Sequence, residues 1–182
     1  MSTAESRGAS EASGFGPIVV MGVSGCGKSS VGERLAGHMG CRFVEGDAIH
    51  PPANVEKMRL GVPLDDADRW PWLDVLGREL ESPSDVVISC SALKRSYRQH
   101  LRISACRPLT FVFLHGTRAV LVSRLTGRKG HFMPLSLLDS QLATLELPTG
   151  ESDVLTIDID QPLERIVASA QLALAGRANR GA

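Results

Sequence analysis

Eight consecutive residues carry the plainest chemistry in the chain: Gly22-Val23-Ser24-Gly25-Cys26-Gly27-Lys28-Ser29. They satisfy G-x-x-x-x-G-K-[ST] at every fixed position, between an apolar run and a helical pattern, which is the context that a phosphate-binding P-loop needs. The glycines Gly22, Gly25 and Gly27 let backbone N–H groups of the loop, from Ser24 and Cys26 through to Ser30, face the phosphates of a nucleotide. A helix that opens directly after the loop adds the positive end of its dipole. Lys28 supplies a point charge near the β- and γ-phosphates, and the Ser29 hydroxyl is placed to coordinate Mg²⁺. The loop alone does not separate kinases from nucleotide-driven switches or motors.

A second group lies about twenty residues further on, in Glu45-Gly46-Asp47-Ala48-Ile49-His50-Pro51. In open α/β sheets ligands bind beyond the carboxyl ends of the strands. A carboxylate at Asp47 therefore faces the γ-phosphate from the acceptor side. There it can take or orient the proton of an attacking hydroxyl, or reach Mg²⁺ through water. A turn or helix-capping role is the plainer alternative. His50 precedes a proline, which favours an extended or turn conformation. It suits either a substrate hydrogen bond or a structural loop. The third apolar run ends Ile88-Ser89-Cys90 with no aspartate to hold the metal, an arrangement that suits small-molecule kinases better than motor ATPases.

These groups need a scaffold, and the apolar periodicity predicts one. Strands are expected at Pro17–Met21, Cys41–Val44, Asp85–Ser89, Leu109–Leu114 and Val154–Ile159. Helices are expected after the P-loop (Val31, Leu35 and Met39 on one face, ending at Gly40), over Pro52–Leu60 and Ala67–Leu80, from Lys94 to Arg102, near Arg118–Leu125 and from about Pro162. Such alternation implies an α/β fold with a five-stranded parallel sheet and helices on both faces. Gly127–Pro134 breaks the pattern and carries Arg128, Lys129 and His131. It reads as a mobile lid, at about 127–140, that closes over an anionic ligand.

The 182 residues suffice for one core, so residues 17–182 are expected to form a single domain. Residues 1–16, rich in Ser, Ala, Gly and Glu, read as a disordered tail without the features of a signal peptide. Twenty basic and twenty acidic residues cancel, which argues against the broad basic footprint of a nucleic-acid binder. No apolar run is long enough to cross a membrane, and a cytoplasmic protein is expected. Cys26, Cys41, Cys90 and Cys106 have no metal-site or disulfide spacing and are expected to be small buried thiols.

Several blocks resemble the gluconokinase family. They are Gly46-Asp47-x-x-His50-Pro51, Asn54-x-x-Lys57-Met58, Gly61-x-Pro63-Leu64-x-Asp66-x-Asp68-Arg69-x-Pro71-Trp72-Leu73, Cys90-Ser91-Ala92-Leu93-Lys94 with Tyr97-Arg98 and Leu101-Arg102, Arg128-Lys129-Gly130-His131-Phe132, and Asp158-Ile159-Asp160-Gln161-Pro162-Leu163. The Asp-Arg-x-Pro-Trp-Leu and Cys-Ser-Ala-Leu-Lys blocks are the specific ones. The resemblance spans Ile18 to about Ala170 and implies a P-loop NTPase fold of the adenylate-kinase-like type. It implies transfer of the ATP γ-phosphate to the 6-hydroxyl of D-gluconate, and often a homodimer. Shikimate kinase is similar in layout, and its matching aspartate supports Asp47 as the base.

A polyhydroxy carboxylate needs a cation for its charged end. The candidates are Arg69, first for its place in the specific block, then Lys94, Arg98 and Arg102, the last two on one helix face. His50 and His131 are further substrate candidates. Arg124 resembles the adenine-stacking arginine of nucleoside monophosphate kinases. Gln161 and Pro162 fall where the related fold passes near adenine. Arg128 is the lid cation expected to approach the transferring phosphoryl group. Trp72 is read as a packing residue near the substrate lobe. A kinase for another polyhydroxy acid such as shikimate, or a nucleotide-binding regulator without catalysis, is the alternative reading.

Overall fold

The computed structural model describes residues 16–127 and 134–181. Among these residues, β1 (Ile18–Met21), β2 (Arg42–Glu45), β3 (Val86–Cys90), β4 (Thr110–His115) and β5 (Val154–Asp158) pair entirely in parallel, in the order β2-β3-β1-β4-β5. Every residue of β1 is fully buried. Ile18 and Val20 join one apolar cluster and Val19 and Met21 the other, so an unbroken apolar run is what a strand covered on both faces requires.

Helices cover the sheet on two sides. α1 (Lys28–Met39) and α7 (Leu163–Gly181) enclose the cluster around Val31, Leu35, Ile166 and Ala170. α3 (Asp66–Glu81) and α4 (Arg95–Ala105) enclose the other, around Trp72, Leu76, Tyr97 and Leu101. α2 (Pro52–Arg59) and α5 (Arg118–Thr126) complete the elements expected from the sequence. α3 opens with a reciprocal capping box between Asp65 and Asp68.

Two elements were not expected. A short 3₁₀ turn, Gly46–Ile49, carries Asp47. Helix α6 (Leu135–Thr144) overlaps the stretch assigned to the lid, and its Leu137 and Leu138 are buried. The basic and glycine residues before it drew the sequence reading away from a leucine-rich helical pattern. Residues 128–133, which hold the lid cations Arg128 and Lys129 and the substrate candidate His131, lie outside the described residues, as do residues 1–15 of the expected tail.

The chain crosses from one side of β1 to the other between β3 and β4, so the crevice of the sheet opens at the carboxyl ends of β1 and β3. Among the described residues no helix is long and apolar enough to cross a membrane. All four cysteines are free. Cys26 and Cys90 are buried as expected, but Cys41 is only half-buried and Cys106 is exposed. Burial pushes the Cys90 thiol up to about 12, which leaves it protonated and unreactive.

Candidate active site

A cavity of about 270 Å³ opens at those carboxyl ends, lined from the P-loop by Ser24 and Lys28 and from the turn after β2 by Asp47 and His50. Arg69 of α3 and Ser91, just past β3, line it as well.

The P-loop takes its shape from glycine. Gly27 caps α1 at φ 99°, a left-handed conformation that costs a side-chain-bearing residue dearly. The first turn of α1 then leaves the N–H groups of Ser29 and Ser30 without intrahelical partners, as an anion site requires. Not every donor of the loop points that way. Gly22 N–H donates to the Ser91 carbonyl at 3.3 Å, and Cys26 N–H donates to Val23. Cys26, expected to face phosphate, therefore shapes the loop, as does Ser24, whose N–H donates to Gln141 Oε1 at 2.7 Å, and Gly22 ties the loop to the end of β3. Lys28 is buried and its ammonium reaches back to the Val23 carbonyl at 3.4 Å. Burial disfavours its charge, but surrounding groups that include Asp47 and Glu45 outweigh that and raise its pKa above the ordinary lysine value.

Asp47 is exposed to the cavity while its backbone is clamped on both sides. Gly46 N–H donates to Ser89 Oγ at 3.0 Å, and the Gly46 carbonyl accepts from Trp72 Nε1 at 2.8 Å. Asp47 N–H donates to Glu45 Oε1, which also accepts from the Ser89 hydroxyl. A Cβ on Gly46 would collide with the Ser89 carbonyl, so only glycine lets β2 turn so close to β3. Buried Trp72 thus packs as expected and also positions Asp47. It stacks on His50 with ring centroids 4.1 Å apart. Burial, assisted by Arg69, lowers the His50 pKa to about 4, although Asp47 pulls the other way. His50 is therefore neutral at physiological pH, and Asn54 lies 3.3 Å from its Nδ1.

Arg69 is 7% exposed, yet its recorded bonds are long: Nε to the Leu64 carbonyl at 3.4 Å and Nη1 to Ser91 Oγ at 3.5 Å. Among the described residues no carboxylate pairs with it in a salt bridge, so its planar donor fork is available to a carboxylate ligand in the cavity.

The structure does not bring the other cations there. Arg98 is fully buried in the α4 layer and donates to Glu151 and to the carbonyls of Ala92 and Leu93. Arg102 donates to Glu151 and Asp153. Both were substrate candidates, and both are instead spent on this ion cluster. Its Glu151 would be raised by burial, but the two arginines override that and hold it at about 2. Lys94 donates to Asp66 at 2.7 Å and is not among the residues that line the cavity.

On the nucleotide side a shallow groove is lined by Arg124 and Gln161. Arg124 donates to the Ile159 and Gln161 carbonyls at 2.6 and 3.1 Å, which holds the loop after β5 against α5. Pro162 directly precedes α7, and its carbonyl accepts from the N–H groups of Arg165 and Ile166.

Four polar residues of the cavity, Ser91, Arg59, Ser140 and Gln141, were not among the candidates expected from the sequence. Ser91 stands in the quoted Cys-Ser-Ala-Leu-Lys block, and its level with Gly22 shows only once β3 pairs with β1. Arg59, exposed and paired with Glu56, looks like any surface helix arginine. Gln141 lies on the unexpected helix α6.

A sequence-family profile described as an AAA domain matches residues 18–148. The chain is 52% identical over 144 residues to a gluconokinase of Gluconobacter oxydans, covering 77% of this chain and 80% of that protein. The chain belongs to the gluconokinase family. It is also 47% identical over 156 residues to the thermoresistant gluconokinase of Escherichia coli, covering 83% and 89% of the two chains. The crystal structure of a gluconokinase from Sinorhizobium meliloti superposes with a TM-score of 0.87 at 57% identity, over 91% of this chain and 94% of that one. Shikimate kinase from Aquifex aeolicus shares the fold, with a TM-score of 0.58 at 19% identity over 89% and 98% of the chains.

Proposed function

We propose that the chain transfers the γ-phosphate of ATP to the 6-hydroxyl of D-gluconate, giving ADP and 6-phospho-D-gluconate. The observation that carries this reading is one cavity that holds Lys28, Asp47 and a buried Arg69 with no carboxylate partner among the described residues, in a chain of this family.

The chemistry follows from the placements. Lys28 neutralises charge on the β- and γ-phosphates. Asp47 orients the acceptor hydroxyl and takes its proton as the oxygen bonds to the γ-phosphorus. The bond from that phosphorus to the β–γ bridging oxygen breaks, and ADP leaves with the electron pair. Arg69 holds the carboxylate at the far end of the acceptor, which fixes the hydroxyl in line. Neutral His50 offers a hydrogen bond to the polyol.

The donor set suits Mg²⁺. Ser29 and Asp47 present hard oxygens, and among the described residues no group of three or more His, Cys, Asp or Glu is arranged to hold a metal ion by itself. That is the pattern of an ion held by one or two protein oxygens, phosphates and waters. When bound, it supplies charge stabilisation on the phosphates. The reading also places the enzyme in the cytoplasm, and the family resemblance adds a homodimer, which light scattering at assay concentration tests.

A coupled assay with ATP, Mg²⁺ and a panel of sugar acids, shikimate and nucleotides decides the reading. Turnover of gluconate is expected. Turnover of shikimate or a nucleotide in its place, or ATP binding with no turnover on the panel, overturns it.

A further inference from the structure

The P-loop touches the acceptor cavity through Ser24 and Lys28, and Ser24 is held there from outside the loop. Gln141, 117 residues away on α6, accepts from Ser24 N–H through Oε1 at 2.7 Å and donates from Nε2 to Ser24 Oγ at 3.1 Å. Both ends of one carboxamide therefore grip one residue of the loop, and Gln141 itself lines the cavity with Asp47.

Helix α6 is a firm base for that grip. Leu137 and Leu138 are buried; Leu138 belongs to the apolar cluster under α1 and α7, and Leu142 and Leu145 pack against it. At helical spacing Gln141 lies one turn after Leu137, and both face the cavity. Arg118 of α5 pairs with Asp139 at 2.7 Å and ties the outer side of α6 down. A carboxamide has two donor hydrogens and two acceptor positions. Ser24 takes one of each, so one N–H and one lone pair remain for a polyol hydroxyl.

We infer that Gln141 is a positioning residue for phosphoryl transfer. It fixes Ser24 at the donor–acceptor boundary and aligns the acceptor hydroxyl between Asp47 and the γ-phosphate. The inference rests on the functional reading above and deepens it, because it assigns to α6 a share in selecting a polyhydroxy acceptor.

The test compares Gln141→Met, which keeps the side-chain volume beside Leu137 and Leu138 but loses both bonds, with Gln141→Ala, Ser24→Ala and the double variant Ser24→Ala/Gln141→Met. Wild-type turnover of gluconate is measured first. Its absence overturns the functional reading and this inference with it. With the wild type active, two lost hydrogen bonds correspond to a roughly 10- to 100-fold fall in kcat for gluconate in Gln141→Met. The Kd for ATP, titrated without gluconate, is expected to stay within about threefold of wild type. The double variant is expected to be no worse than Gln141→Met alone, because both changes remove one interaction. A kcat near wild type with only a lower Tm, a loss of ATP affinity equal to the loss in kcat, or losses that multiply in the double variant would each overturn the inference. Should Gln141→Ala fold poorly, Gln141→Met carries the test alone.

Discussion

Two buried charged regions lie within reach of the β3–α4 turn, and they use the same residue types in opposite ways. In the α4 cluster, Arg98 is saturated: Glu151 takes Nε and Nη2, and the carbonyls of Ala92 and Leu93 take Nη1. Across the turn, Arg69 is nearly as buried but among the described residues makes two long bonds to neutral oxygens. Glu151 is 4% exposed at its side chain, whereas Asp47 opens onto the cavity. Burial of charge alone therefore does not mark a site. The difference lies in the partners. A saturated ion cluster holds the turn in place, including Ala92 at a positive φ of 44°, while Arg69 lines the cavity with no carboxylate partner among the described residues.

The contrast breaks apart under mutation. Asp47→Asn is expected to lower kcat by about 10²–10⁴-fold, the usual contribution of a general base, while the Tm and the Kd for ATP hold. Near-normal turnover in the coupled assay would remove Asp47 from the proton-accepting role. Glu151→Ala strikes the other region. It leaves Arg98 buried and uncompensated, so urea unfolding is expected to show a loss of about 3–5 kcal/mol. The KM for gluconate of the folded fraction should be unchanged.

Arg69→Ala is expected to raise the KM for gluconate roughly 10- to 100-fold and leave that for ATP nearly alone, the worth of a charge-assisted carboxylate contact. Equal losses for both substrates would place Arg69 with Arg98 as a structural residue.

The smallest effects are in pH dependence. Glu151 titrates at about 2 when folded, below its ordinary value, so its stabilisation is complete above about pH 4.5 and is lost as the pH falls towards 2. His50, at about 4, is also depressed, so between about pH 6.5 and 4 the unfolded chain binds a proton that the folded chain refuses. Stability should fall with acidification across that range, and His50→Phe should flatten the slope. An unchanged slope in urea melts at several pH values would assign it to another group.

Much of this was legible in the sequence because short-range rules set it. The P-loop needs glycines at fixed offsets, and a doubly covered strand needs an unbroken apolar run such as Ile18–Met21. Strand and helix boundaries moved by a residue or two, except that α4 runs three residues past Arg102 to Ala105. Helix α6 was missed because the basic, glycine-containing stretch before it masked its leucine periodicity.

What the sequence by itself determined is the fold class, the P-loop and the short family-specific blocks that carry the cavity residues Asp47 and Arg69. Each rests on residues within one turn or one strand of each other. Only the tertiary structure decided which cations are free. Arg69, Lys94, Arg98 and Arg102 are alike as letters, and what separates them is the reach of Glu151 and Asp153, about fifty residues further along the chain, and of Asp66 about thirty residues before Lys94. The same holds for Gln141, whose grip on Ser24 spans 117 residues. Local propensity is written in neighbouring residues, but the partner that satisfies a buried charge or carboxamide is set by how the layers pack.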